Sequence, residues 1–177
     1  MADFRWRGWS SGVRWVLVAS FLTSLVTWAM GCAFTARLAN AELRTTPSYK
    51  RISTTDVYFY AAGMPMATML AAAIDFVLHM RGWLSPVVSI IWSLIAFALW
   101  LFVLTMWGVT EYSTDTGGWL PLYVYRDEPY QTNVYYPRIA LGSVAAILAL
   151  AQLSFASRAV ELERKERKSK VSKLESA

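Results

Sequence analysis

The sequence predicts an all-α integral membrane protein, a four-helix transmembrane bundle with cytoplasmic N- and C-termini. Of the 177 residues, 56% are hydrophobic and only 16% are charged, which is more apolar than a soluble domain tolerates. Residues 83–110 contain no Asp, Glu, Lys or Arg. A helix needs about 20 apolar residues to cross the roughly 30 Å hydrocarbon core of a bilayer, so this run is long enough to span it.

The first span is predicted at residues 15–37, after a cytoplasmic flank formed by residues 1–14. Basic side chains alternate with indole rings in and just after the flank, which suits the headgroup layer; they are Arg5, Arg7, Arg14, Trp6, Trp9 and Trp15. Ala39-Asn40-Ala41 resembles the cleavage site of a secretory signal peptide. Because the apolar run exceeds the about 7–15 residues of a signal peptide, we expect an uncleaved anchor instead.

The second and third spans are predicted at residues 57–79 and 84–110, joined by a tight turn. A polar loop over residues 37–56 precedes this hairpin. Pro65 lies near the start of the second span and removes a backbone donor there, so the sequence predicts a kink near the outer end of this helix.

The fourth span is predicted at residues 138–158, after a Tyr-rich loop over residues 111–136. Gly142 and Ala146 in this span have the small-xxx-small spacing that lets membrane helices approach closely, so they are candidate helix-packing positions. Residues 159–177 form a charged tail that is expected to leave the membrane as a helical extension.

The basic residues orient the bundle. The two tails and the short turn hold most of the 17 Lys and Arg, and the two long loops with their flanks hold the rest. By the positive-inside rule, both tails and the turn lie in the cytoplasm, on either side of a membrane domain over residues 15–158. The chain is expected to be a multi-pass protein of the plasma membrane or an endomembrane.

Asp75, His79 and Arg81 form a candidate intramembrane polar site. Asp75 and His79 are four residues apart and share one face of a helix, and Arg81 lies just beyond. Ionisable groups inside a span are costly and often functional, so one interpretation is an ion or proton site. In the other, Asp75 lies within about a turn of the headgroups, pairs with His79 or Arg81, and fixes the hairpin.

The tail is a candidate contact for anionic lipid headgroups at the cytoplasmic face. Its basic residues exceed what topology alone needs; they are Arg164, Lys165, Arg167, Lys168, Lys170 and Lys173. Two i,i+4 ion pairs, of Glu161 with Lys165 and of Glu163 with Arg167, are expected to support the helix.

Motifs of catalysis are missing from the sequence. The chain has one His and one Cys, and it has no HExxH zinc motif and no glycine-rich phosphate loop before a helix. We therefore expect no enzyme activity, no cofactor, no metal site and no nucleic-acid partner. Membrane lipids are the expected partners, and a second copy of the chain or another membrane protein would suit the small-residue faces.

The pattern resembles that of MARVEL-type tetraspan proteins, particularly small ones from filamentous fungi. The resemblance is carried by residues 71–86, AAAIDFVLHMRGWLSP, and by the Trp-rich residues 91–100, IWSLIAFALW. It is mainly one of topology over residues 10–160. Claudin-like tetraspans share the span count but have a paired-cysteine outer loop, which this chain lacks. The resemblance implies membrane apposition, lipid-domain organisation or vesicle trafficking.

Two classes of function follow from the sequence. The first is a non-catalytic tetraspan protein that organises lipids or partner proteins, consistent with the aromatic flanks, the small-residue faces and the basic tail. The second is a small transporter, channel or auxiliary subunit that uses Asp75 and His79. A dry, packed interior favours the first class, whereas polar side chains that converge from three or more spans favour the second.

Overall fold

The protein is a bundle of four long helices. The computed structural model describes residues 6, 10–45, 55, 58–112 and 129–175, with side chains over residues 6, 10–36, 55, 58–108 and 136–172. The helices are α1 (Ser10–Thr45), a π-helical turn (Phe59–Gly63) that leads directly into α2 (Met64–Met80), α3 (Pro86–Tyr112) and α4 (Pro129–Glu175). Strands do not occur in the part of the chain that the structure describes.

Four segments are long and apolar enough to cross a membrane: Ser10–Ala36, Phe59–Met80, Pro86–Gly108 and Tyr136–Ser172. The predicted all-helical class with four membrane-spanning helices is confirmed at this level. The fourth segment includes charged residues from Arg158 onward, so its uncharged part is residues 139–157.

The helices extend beyond the predicted spans. Residues 37–45 and 129–136, which the sequence analysis assigned to loops, belong to α1 and α4. Charged residues end a membrane span without ending a helix, and residues 36–45 are rich in Ala, Leu, Glu and Arg, with the first proline at Pro47. Of the remaining loop residues, the structure describes only Thr55 and residues 111–112, the latter as the end of α3. Residues 46–54, 56 and 113–128 lie outside the described residues, as do residues 1–5 and 7–9 of the flank.

Helix α1 packs along α2 and α4, and α3 packs along α4. The interior is lined largely by small side chains, including Ala72, Ala96, Ala145 and Ala149, all buried. Small residues allow close packing of membrane helices, which lipid does not drive together by the hydrophobic effect. Large apolar side chains point outward instead; exposed examples are Leu70, Ile74, Val88, Ile91, Phe102 and Ile147.

The turn between α2 and α3 ends α2 with a Schellman motif. The Gly82 N–H donates to the His79 carbonyl at 3.1 Å, and the Trp83 N–H donates to the Leu78 carbonyl at 2.9 Å. Gly82 has a φ of 71°, a left-handed conformation that glycine adopts without a Cβ clash. These bonds produce the tight turn that the sequence predicts.

The π-helical turn lies immediately before Pro65, where the sequence predicts a kink. Pro65 has no N–H to donate to the carbonyl four residues earlier, that of Ala61, so regular α-helical bonding is lost at this point. Ala61 and Ala62 within this turn are fully buried. The wider turn therefore places backbone atoms against the neighbouring helix α1.

Candidate functional site

Asp75 lies in a polar cluster that joins three helices. Its Oδ2 atom accepts a hydrogen bond of 2.9 Å from Nε2 of Gln152 on α4. The same Nε2 lies 3.3 Å from Oγ of Ser89 on α3. All three side chains are buried. The cluster lies inside the bundle, since Asp75 is about 7 Å along the helix axis from Met80, the last residue of α2.

The structure gives Asp75 and His79 partners on different helices and leaves Arg81 exposed. Asp75 and His79 are both buried on one side of α2, but the hydrogen bond of Asp75 is made to Gln152 rather than to His79 or Arg81. Arg81 is exposed, and its guanidinium lies 5.7 Å from the ring centroid of Trp83. The sequence analysis did not anticipate this partner, and the expected pairing of Asp75 with His79 or Arg81 stays a prediction. Both interior side chains point across the bundle, His79 toward Ser10 of α1 and Asp75 toward Gln152 of α4.

His79 belongs to a second cluster, at the end of the bundle. Its Nε2 lies 3.3 Å from Oγ of Ser10, and its ring meets that of Trp6 edge-on, with 5.6 Å between centroids. The indole N–H of Trp6 donates to the Leu84 carbonyl at 3.3 Å. Residues from α1 and α4 complete this end of the core: Val13, Leu17, Ala156 and Ala159.

Trp6 does not lie in an interfacial belt as predicted. It is only 2% exposed, whereas Trp15, from the same stretch of sequence, is 71% exposed and fits that prediction. The helix ends leave a recess beside Leu84, and an indole that fills it buries apolar area while its N–H still finds a carbonyl.

The opposite end of the bundle contains a buried cation that the sequence analysis treated only as a loop flank. Arg138, at the start of the uncharged part of α4, is fully buried. Its guanidinium carbon lies 4.6 Å from the ring centroid of Phe34 and 4.4 Å from that of Trp107. Trp107 is itself held by a 3.1 Å hydrogen bond from its indole N–H to the Tyr60 carbonyl. A desolvated cation between two aromatic faces gains cation–π energy from both.

Gly142 and Ala146 lie on the face of α4 that meets α3. A Cβ atom on Gly142 would lie 2.8 Å from Cδ2 of Leu104 and 3.1 Å from Cζ3 of Trp100. Ala146 is buried beside Trp100. A tighter contact, missed by sequence reasoning, is at Gly31 of α1, where an added Cβ would meet the carbonyl group of Ala61 in the π-helical turn. Thr27 and Thr35 lie four residues before and after Gly31, so the small-residue spacing that could have located this contact is present in the sequence.

The basic tail is helical, and both predicted ion pairs are present. Lys165 lies 2.9 Å from Glu161 and Arg167 lies 2.7 Å from Glu163. Arg158 also approaches Glu161, at 3.5 Å. Three further cations, Arg164, Lys168 and Lys170, are exposed and make no ion pair with any described side chain. The backbone of Lys173 is helical, and its side chain lies outside the described set.

The fold and these clusters define a class, that of all-helical, multi-pass membrane proteins with four spans. Comparisons with protein-family models, with curated proteins and with solved structures find no match to this chain. Among the described residues, no three His, Cys, Asp or Glu side chains lie close enough to share a metal ion.

Proposed function

We propose that this protein is a non-catalytic tetraspan protein that organises lipids or partner proteins in its membrane and acts in membrane apposition or trafficking. Polar side chains from three helices do converge, but they are buried and contact one another, and this is the observation that carries the proposal. The carboxylate of Asp75 is engaged by Gln152, which also lies beside Ser89, so these groups join α2, α3 and α4 to one another. Interhelical hydrogen bonds in membrane proteins contribute about 0.6 kcal/mol on average and up to about 1.7 kcal/mol, which suits a structural role.

The outer surface supports the same proposal. Large apolar side chains cover the lipid-facing sides of α2 and α3, as at Ile74, Ile91 and Phe102, whereas the interior is built from small residues. The resemblance of residues 71–86 and 91–100 to MARVEL-like proteins of fungal type points in this direction too. The plasma membrane or an endomembrane is the proposed location, and a second copy of the chain is a candidate partner.

Cytoplasmic termini are part of the proposal. The excess of Lys and Arg in the tails supports this orientation through the positive-inside rule. With Cys32 replaced by alanine, single cysteines at Ser48 and Thr116 should react with an impermeant thiol reagent from outside the cell. Labelling of both only after the cytoplasmic face is exposed would reverse the orientation.

We further propose that anionic headgroups at the cytoplasmic face are a partner of the tail where it leaves the membrane. Arg158 follows directly after the uncharged part of α4, and the next basic residues begin at Arg164. Each basic residue close to an anionic leaflet contributes about 1 kcal/mol of binding energy.

A small transporter or channel is the alternative, and one observation favours it. Polar side chains from three helices meet at Asp75, and Oγ of Ser24 on α1 is buried without a hydrogen-bond partner among the described residues. Convergent polar groups inside a span are also what an ion pathway needs.

A flux measurement combined with a double-mutant cycle separates the two proposals. For a structural role, the protein in vesicles should carry no proton or cation flux above empty vesicles, and Asp75→Asn should leave this unchanged. Asp75→Leu and Gln152→Leu should each lower thermal stability in detergent, because each leaves a buried polar group without its partner. The double variant should recover part of that loss, with a coupling of about 0.5–2 kcal/mol. A flux that Asp75→Asn abolishes would establish the transporter instead.

A further inference from the structure

We propose that the end of α4 is a rigid basic arm that binds a second, opposing anionic membrane rather than the leaflet from which it emerges. The arm is defined here as residues 161–172. This inference rests on the proposed role in membrane apposition and deepens it by naming the surface that the tail contacts.

Helix α4 continues without a break from the membrane span into the arm. The helix runs from Pro129 to Glu175, and its only internal proline is Pro137, before the uncharged part. With a rise of 1.5 Å per residue, Arg164 lies about 9 Å and Lys170 about 18 Å beyond Arg158 along the helix axis. A typical tilt of about 20° from the bilayer normal shortens these heights by less than a tenth.

The outer cations of the arm lie at or beyond the reach of the charge on the membrane that α4 spans. The headgroup region adds about 5–8 Å on each side of the hydrocarbon core, and the Debye length at physiological ionic strength is about 8 Å. Arg158 lies within this layer, whereas Lys168 and Lys170 lie at or beyond its limit. The leaflet around α4 therefore attracts the tail up to about Arg164 and only weakly attracts Lys168 and Lys170 at the outer part of the arm.

The arm is not suited to lie flat on the membrane that α4 spans. Such a helix needs a continuous apolar face. The apolar residues of the arm are Leu162 and Val171 alone. They are nine positions apart, which at 100° per residue places them on opposite sides of the helix. The arm has no side suited to burial among acyl chains.

The exposed cations of the arm indicate the kind of partner that it binds. Lys165 and Arg167 are paired with glutamates of the same helix, but Arg164, Lys168 and Lys170 are exposed and make no ion pair with described residues. Arg164 and Lys168 project on one side, and Lys170 projects on another. Cations around the whole circumference of the helix suit a broad polyanionic surface, such as a membrane of acidic phospholipids. A protein groove instead recognises a single face of a helix with an apolar anchor, and the arm has no such face.

Association between vesicles tests the proposal with the full chain. The protein is reconstituted into phosphatidylcholine vesicles, and protease access to the tail measures the outward-facing fraction. Protein-free acceptor vesicles contain either phosphatidylcholine alone or phosphatidylserine in addition, and association is followed by energy transfer between labelled lipids. We expect association only with the phosphatidylserine acceptors, with a steep loss as salt is raised.

Two matched triple variants locate the contact. The arm variant Arg164→Gln/Lys168→Gln/Lys170→Gln should weaken association about a hundredfold, since each basic residue at an anionic surface changes binding by about fivefold. The control Arg14→Gln/Arg81→Gln/Arg158→Gln removes the same charge from exposed positions near the membrane plane. It should stay within about threefold of the wild type. Unchanged thermal stability of both variants shows that the bundle is intact.

Equal association with both acceptors, or equal loss in the two triple variants, would overturn the proposal. Binding of soluble polyglutamate without binding of phosphatidylserine vesicles would also overturn it and would indicate an acidic protein partner. None of these outcomes decides the proposed role of the bundle within its own membrane, because that role is tested separately by flux and stability at Asp75.

Discussion

Gly31→Ala should separate α1 from the π-helical turn and destabilise the bundle. The added Cβ would lie 2.8 Å from the carbonyl carbon of Ala61 and 3.1 Å from Cα of Ala62, and it would meet the Ala61 carbonyl oxygen more closely still. These are backbone atoms of a buried turn, so no side chain can rotate away. The carbonyl carbon alone must retreat by about 0.6 Å to reach the 3.4 Å of ordinary contact. Overpacking of this kind typically costs about 1–3 kcal/mol.

Thermal unfolding in detergent measures this cost, and Gly108→Ala is the matched control. Nothing lies within 4 Å of a Cβ built on Gly108, so alanine there should be neutral or stabilising by up to about 1 kcal/mol through helix propensity. Gly31→Ala gains the same propensity and should still unfold at a lower temperature than the wild type. A Gly31→Ala protein as stable as Gly108→Ala would show that α1 and the π-helical turn are not in close contact, which would contradict the predicted overpacking.

Two further substitutions test the ends of the bundle by the same assay. Arg138→Gln should cost about 2–4 kcal/mol, because the guanidinium loses two desolvated aromatic faces, and Arg138→Lys should retain part of that energy. Stability of Arg138→Gln within about 0.5 kcal/mol of the wild type would contradict this account. Trp6→Ala should cost about 3–5 kcal/mol, since it empties a buried recess and removes the bond to Leu84. Trp15→Ala, at an exposed position, should cost little, and equal losses from the two tryptophans would show that Trp6 is not part of the core.

The elements of this fold that follow from local sequence are the ones that sequence reasoning predicted. Uncharged runs located four helices, because a membrane span depends only on its own apolar length. The tight turn at Gly82 was likewise predictable, since a Schellman motif needs a glycine just after the last helical residues. The ion pair of Glu161 with Lys165 follows from i,i+4 spacing alone.

The partners across the bundle were not predictable in this way. Asp75 was expected to pair with its neighbours on α2, and its partner is Gln152, far along the chain. Which residues meet depends on the rotation and the vertical register of each helix, and neither can be read from the spacing within one helix. Trp6 and Arg138 were misjudged for the same reason, because a residue next to a span looks interfacial until the neighbouring helices are placed.

The bundle buries its two charged residue types, Asp and Arg, through different contacts. Its helices also approach one another closely at glycines. Inside the bundle the Asp75 carboxyl group is bonded to a neutral amide, and near one end the Arg138 guanidinium lies over two aromatic rings. Both arrangements are directional, so they select one rotation of each helix about its axis. The helices also meet through glycines, as at Gly31 and Gly142, which allow a close approach on the side of the helix that faces the neighbour. The contacts of Asp75 and Arg138 therefore determine which helix faces meet, and the small residues determine how closely the helices approach.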